Sequence, residues 1–255
     1  MTLHQIKVKI NGPEYDFLRE NEYLGKNMIL ITLGGSHAYG TNVESSDLDI
    51  RGCALNTKED ILLGKDFEQI VNYDTDTTVY SFTKLVRLLA NNNPNTIEIL
   101  GCKPEHYLYL SPIGEELFNN KDMFLSKRCI KSFGGYASDQ IRRLDSRELL
   151  KKKPDKMAKH MMHLIRLYYM CFDILEKGEI NTYREKEHHF LMAIRSGFYL
   201  NENHQPTREF LEIVDELEAK FERLKNTTEL PDEPDINRIK KFVMDVNERV
   251  VLGKA

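Results

Sequence analysis

An α+β fold, with a short mixed sheet in residues 1–115 and a helical unit over 116–255, is expected from three features of the chain. Met28-Ile29-Leu30-Ile31 is an unbroken apolar run that gives way to Gly34-Gly35. Residues 68–80 are rich in β-branched and aromatic types, and beyond residue 122 apolar side chains return almost only at helical intervals.

Four bulky residues in a row suit a first strand covered on both faces. The glycines after it let backbone N–H groups approach a ligand, and a helix beginning near Ser36 adds its positive end, so a triphosphate is the natural occupant. In Asp47-Leu48-Asp49-Ile50-Arg51-Gly52 the alternation puts both carboxylates on one face of a second strand, with Leu48 and Ile50 on the other. Residues 68–74 and 77–80 read as strand pieces, and Phe82, Leu85, Val86 and Leu89 predict a helix over 81–90. Pro94 opens a further helix whose next turn presents Glu98; a capped loop with a solvated glutamate fits the same residues. Ser111-Pro112-Ile113-Gly114 and Asn119-Asn120-Lys121-Asp122 punctuate the chain where the two units divide. Met161, Leu164, Ile165, Tyr168, Tyr169, Phe172 and Leu175 then recur at helical spacing to a stop at Gly178. Apolar faces follow at 190–194 and 210–224, and a loop over 226–235 precedes a last helix over 236–251.

Adjacent carboxylates such as Asp47 and Asp49 are costly without a cation, and hard oxygen ligands suit Mg²⁺ bridging to substrate phosphates. Two such ions would activate an attacking oxygen and steady a leaving pyrophosphate. Gly34, Gly35, Ser36 and Ser46 are the matching candidates for nucleotide contacts.

Gly35-Ser36 is followed by ten residues and then Asp47-x-Asp49. In that order the chain resembles the DNA polymerase β-like nucleotidyltransferase superfamily. The longer runs Gly35-Ser36-x-Ala38-Tyr39-Gly40-Thr41 and Ser46-Asp47-x-Asp49-x-Arg51-Gly52 are similar to its YcgL-like predicted branch of bacteria and phages. The resemblance implies a polymerase β-like core, an NTP substrate, two Mg²⁺ ions on Asp47 and Asp49, and a third carboxylate that takes the proton of the attacking hydroxyl. Asp74, Asp76 and Glu98 are the candidates for it, with Asp76 best matching the family's spacing ahead of the 81–90 helix. Asn93-Pro94 with Glu98, and Gly135-Tyr136-Ala137 with Gln140, resemble further runs of that branch; the second also reads as a helix start with a core tyrosine. The helical unit is implied to pack across the sheet and to supply base, ribose or acceptor contacts.

A net charge of −4 argues against indiscriminate nucleic-acid binding. Residues 141–166 nevertheless carry nine Lys or Arg against three acids, suited to a triphosphate or an RNA backbone and equally to a solvated face. Within them Lys156, Lys159, His160, His163 and Arg166 share one helix face opposite Met161, Leu164 and Ile165, positioned to grip phosphates or to remain an exposed structural face. His160 and His163 lack a third ligand for a metal. His37 is either a phosphate contact or a variable loop residue. Arg184 and His189, four residues intervening, superficially match the Arg/His motif of helical HEPN ribonucleases, but solvated helix charges are the preferred reading.

No run approaches the roughly eighteen apolar residues of a membrane span, and Lys7 and Lys9 interrupt any leader-like stretch. Cys53, Cys102, Cys129 and Cys171 show no metal-ligand spacing, which fits reduced thiols in a cytoplasm. The expected reaction is transfer of a nucleoside monophosphate from an NTP to an RNA end, a protein hydroxyl or a small molecule, with release of pyrophosphate. A nucleotide-binding regulator or antitoxin-like protein without turnover is the alternative, and the retention of two repelling carboxylates argues against it.

Overall fold

The computed structural model describes residues 1–144 and 154–255, which contain twelve α-helices and one five-stranded sheet. Helix α1 (Leu3–Ile10) opens on a capping box: Thr2 Oγ1 accepts from Gln5 N, and the Gln5 side chain returns to the Thr2 N–H. The short α2 (Phe17–Glu20) leads to β1 (Met28–Leu33), which is buried along its whole length, as its apolar run demands. Helix α3 (Gly35–Tyr39) starts directly after it.

β2 (Ile50–Ala54) pairs antiparallel with β1, Ile50 opposite Leu33, and is followed by α4 (Lys58–Leu63). β3 (Gln69–Asn72) and β4 (Thr77–Ser81) form a hairpin, and β4 runs parallel to β2 with Thr77 opposite Ile50. Ser81 caps α5 (Phe82–Ala90), and Asn93 caps α6 (Pro94–Ile97). β5 (Tyr107–Leu110) adds to the free side of β1, so the mixed sheet runs β3-β4-β2-β1-β5.

Leu48 and Ile50 are buried as the alternation requires, but Asp47 and Asp49 stand on the extended segment ahead of β2 rather than inside it. The regular pairing stops where β1 ends at Leu33, opposite Ile50, because the chain turns there into α3. Residues 111–122, read as punctuation between units, hold α7 (Pro112–Asn119), with Ser111 as its cap and Pro112 in its first turn. Gly114 lies so close to the Ile29 carbonyl that a Cβ there would collide with it. This helix is packed on the sheet.

Helix α8 (Arg128–Leu144) contains the Gly-Gly-Tyr run in its middle, not at its start. Helix α9 (Pro154–Lys177) is the hub of the helical part, touching α8, α10 (His188–Arg195) and α11 (Arg208–Thr227), with Met161, Leu164, Ile165 and Ile174 buried along it. Helix α12 (Ile236–Val251) turns back onto α4. Its Phe242 meets Phe82 edge-on with ring centroids 5.9 Å apart. Arg147 and Lys151, Lys152 and Lys153, part of the basic segment, lie outside the described residues. None of the described helices is long and apolar enough to cross a membrane.

Candidate active site

The ends of three neighbouring strands bring the loop and the acids together. Past Leu33 the ladder continues one step, Gly34 N donating to Asp49 O at 2.9 Å, and Ile50 N donates to Asp76 O at 3.1 Å. Gly34–Gly35, Asp49 and Asp76 therefore sit side by side at one end of β1, β2 and β4. Gly35 has φ +50°, and a Cβ on it would coincide with the Asp49 carboxylate. Only glycine satisfies both the left-handed backbone and that approach.

Arg51 is wedged between the acids, 3.5 Å from Asp49 Oδ1 and 3.8 Å from Asp76 Oδ1. Burial, then the hydrogen-bonded and like-charged Asp76 carboxylate, push Asp49 up to about 7 against the pull of Arg51 and Lys159. Asp76 itself is exposed and takes φ +45°, an uncommon backbone for a residue with a side chain. Asp47, also exposed, lines a cleft of 690 Å³ with Asp76, Asp74 and Tyr73, whereas Asp49 faces a neighbouring cleft of 530 Å³. Among the described residues no three His, Cys, Asp or Glu side chains are gathered as a ready metal cage. The donor chemistry nevertheless fits a hard dication: Asp49 and Asp76 repel one another, and the guanidinium of Arg51 is the cation that stands between them.

The 530 Å³ cleft has a second, basic wall. Gly35, Ser36 and Asp49 form one side; Lys156, Lys159, His160, His163 and Arg166 of α9 face them, joined by Gln140 and Arg143 of α8 and Arg195 of α10. The helix face marked out in the sequence is thus turned to the glycine loop. Its members differ in setting. Lys159 is exposed, His160 Nδ1 donates to Gln140 Oε1 at 3.1 Å, and Arg166 is only 8% exposed. Arg166 Nη2 donates to His163 Nδ1 at 2.8 Å, and burial together with Arg166 drives His163 down to about 3, so its ring is neutral with the proton on Nε2. Ser46 lies off this wall, in the larger cleft, and accepts from Arg195 Nη2 at 2.9 Å while Arg195 Nη1 donates to Thr41 O at 2.7 Å.

Over residues 14–245 the chain matches RlaP, the RNA repair pathway DNA polymerase beta family. The chain belongs to that family. No curated protein matches it. The polymerase β-like resemblance of the glycine loop and Asp-x-Asp run is therefore a family relation, and the family is one of nucleotidyltransferases; the narrower YcgL-like branch is not the one matched.

Several residues of this RlaP chain have settings that sequence reasoning did not foresee. Glu98 is buried and accepts from Tyr39 Oη at 2.5 Å, which takes it out of solvent and leaves Asp76 as the carboxylate beside Asp49. Asp74 is exposed on the β3–β4 turn. Arg184 is not a solvated helix charge: it is 3% exposed and ion-paired with Asp173 at 2.7 Å, while His189 is exposed. That pairing gives Arg184 a packing role in place of a ribonuclease one. Tyr136 Oη accepts from Asn95 at 3.1 Å, tying α8 to α6. His37 is buried, and its Nε2 has no hydrogen-bond partner. Arg195 was missed because a single arginine closing an amphipathic helix carries no local signal; only the tertiary fold sets it against the loop before Asp47.

Proposed function

We propose that this RlaP chain is a Mg²⁺-dependent nucleotidyltransferase that moves a nucleoside monophosphate from an NTP to the hydroxyl of an RNA end. The observation that carries this reading is the two-walled cleft, with the glycine loop and Asp49 on one side and the basic face of α9, Arg143 and Arg195 on the other. Gly34, Gly35 and Ser36 cradle the β- and γ-phosphates through backbone N–H groups. Lys159, His160, His163 and Arg166 contact the nucleotide from the helical side, Arg166 with a fork and Lys159 as a point charge. Asp47, Asp49 and Asp76 hold the metal ions. Bound there, Mg²⁺ supplies charge neutralisation at the phosphates and favours ionisation of the acceptor hydroxyl.

In the transfer the acceptor oxygen bonds to Pα, the Pα–O bond to the β-phosphate breaks, and pyrophosphate leaves. Asp76, exposed towards the 690 Å³ cleft, takes the acceptor proton, so the acceptor approaches from that side. The description of the family as an RNA repair pathway supports RNA over a protein or small-molecule hydroxyl.

Incubation with each α-³²P-labelled NTP and Mg²⁺, with and without total cellular RNA, tests the reading against an Asp47→Asn/Asp49→Asn control. Label on RNA that is lost in the control is the expected result. Mg²⁺-dependent NTP binding without transfer to RNA, protein or small molecules would favour a regulator instead.

A further inference from the structure

Tyr39 and Glu98, buried behind the basic wall, connect without a break to Arg166 and His163 within it. Tyr39 closes α3, immediately after the glycine loop, and is 2% exposed. Its hydroxyl donates to Glu98 Oε2 at 2.5 Å, and the guanidinium of Arg166 lies 3.3 Å over its ring. Arg166 passes on to His163 at 2.8 Å, and both line the cleft opposite Gly35 and Ser36. Glu98 is locked in turn, its carbonyl accepting from Thr182 Oγ1 at 2.7 Å, while Arg184 N donates to Tyr39 O at 3.2 Å. The segment linking α9 to α10 thus straps the same residues from the helical side.

A buried guanidinium needs a counter-charge and a fixed plane, and these neighbours supply both. The aromatic face holds Arg166 flat by stacking and cation–π attraction. Glu98 is the buried carboxylate whose charge Arg166 feels: burial raises Glu98, and Arg166 is the leading influence pulling it back down. Arg166 Nε is buried without a hydrogen-bond partner, so the guanidinium is held by its aromatic and His163 contacts and not by a full set of hydrogen bonds. We infer that Glu98 and Tyr39 are positioning residues that aim Arg166 at the phosphates of a bound nucleotide, linking the glycine loop to the helical wall of the cleft. The inference rests on the nucleotide-site reading above, and it gives the buried glutamate a role distinct from metal binding.

Inorganic tripolyphosphate with Mg²⁺ is the direct probe, because it occupies a phosphate cradle whatever base the enzyme prefers. Calorimetric titration compares the full-length wild type with Tyr39→Phe, Glu98→Gln and Arg166→Lys, and with Tyr39→Phe and Glu98→Gln each built into the Arg166→Lys background. Tyr39→Phe keeps the ring and its stacking, so it tests the hydroxyl link even if Glu98→Gln folds poorly. Each single variant is expected to bind roughly three- to tenfold more weakly, the scale of one lost hydrogen bond. In the Arg166→Lys background the same changes are expected to add almost nothing, since residues acting through one group are not additive. A merely structural role would lower the melting temperature and weaken binding equally in both backgrounds, and that additivity overturns the inference. Wild-type affinity in both Tyr39→Phe and Glu98→Gln overturns it as well. A wild type that binds neither tripolyphosphate nor any NTP overturns the nucleotide-site reading, and the relay falls with it.

Discussion

Gly35 carries two constraints at once, and they separate cleanly by comparison with Gly64. Both have left-handed backbones, φ +50° and +65°, but a Cβ at Gly64 meets nothing within 4 Å whereas one at Gly35 falls on the Asp49 carboxylate. Gly64→Ala is therefore expected to cost only the left-handed strain, about 1 kcal/mol, and to leave activity alone. Gly35→Ala adds a steric conflict with the Asp49 carboxylate, proposed above to hold metal; it should cost a further ~1–3 kcal/mol and abolish the proposed transfer. Urea denaturation and the labelled-NTP assay read the two effects separately, and equal behaviour of the two variants would deny Gly35 its special place. At this scale the sequence was informative, because the glycine pair, Ser36 and the Asp-x-Asp run form a local pattern. What it did not disclose is which neighbour each carboxylate meets. Asp47 and Asp49, expected on one face of a strand, open into different clefts ahead of β2, and Asp49 is paired with Asp76, which is 27 positions away.

Elements were legible where one periodicity persisted. The strand β1 falls on its unbroken apolar run because both its faces are buried, and the helix after Ser81 and the helices α10, α11 and α12 fall where apolar spacing puts them because a single buried face fixes each. Proline and glycine misled at residues 111–122, where Pro112 begins a helix and Gly114 permits close packing; the same residue types mark linkers and helix starts. Polar residues held from afar were the other blind spot. Arg195 fastens α10 to the 41–46 segment through Thr41 O at 2.7 Å and Ser46 Oγ at 2.9 Å, and this segment delivers Asp47 to β2. Arg195→Ala is expected to lower kcat/KM at least about tenfold, since each lost hydrogen bond to a charged donor is worth ~1.5 kcal/mol or more. Arg195→Lys should rescue little, because an ammonium does not reproduce the planar fork that reaches both oxygens. Full rescue by lysine would reduce Arg195 to a simple positive charge on the cleft wall.

At the scale of the whole molecule, chain order and spatial order part company in the last helix. Although α12 follows the four described helices α8–α11 of the helical part, it lies back on the sheet half. Ile239 and Val246 are buried, Phe242 meets Phe82, and Arg249 forks onto Glu116 of α7 at 2.8 and 2.7 Å. The sequence showed an amphipathic helix but not its partner, because an apolar face specifies burial without specifying against what. This return closes the fold, and it makes a prediction about cooperativity. Each buried aliphatic or aromatic side chain contributes ~1.5–3 kcal/mol, so α12 accounts for several kcal/mol, a large share of the 5–15 kcal/mol that usually holds a domain together. Truncation after residue 235 would expose Phe82 and leave Glu116 without Arg249, while touching no residue of either cleft. The truncated chain is therefore expected to melt at least 10 °C lower and to lose NTP binding through global unfolding, with sheet and helical parts disappearing in one transition followed by circular dichroism and tyrosine fluorescence. Two separate transitions, or a truncated chain that keeps full NTP affinity and its melting point, would mean that the sheet part stands without its C-terminal brace.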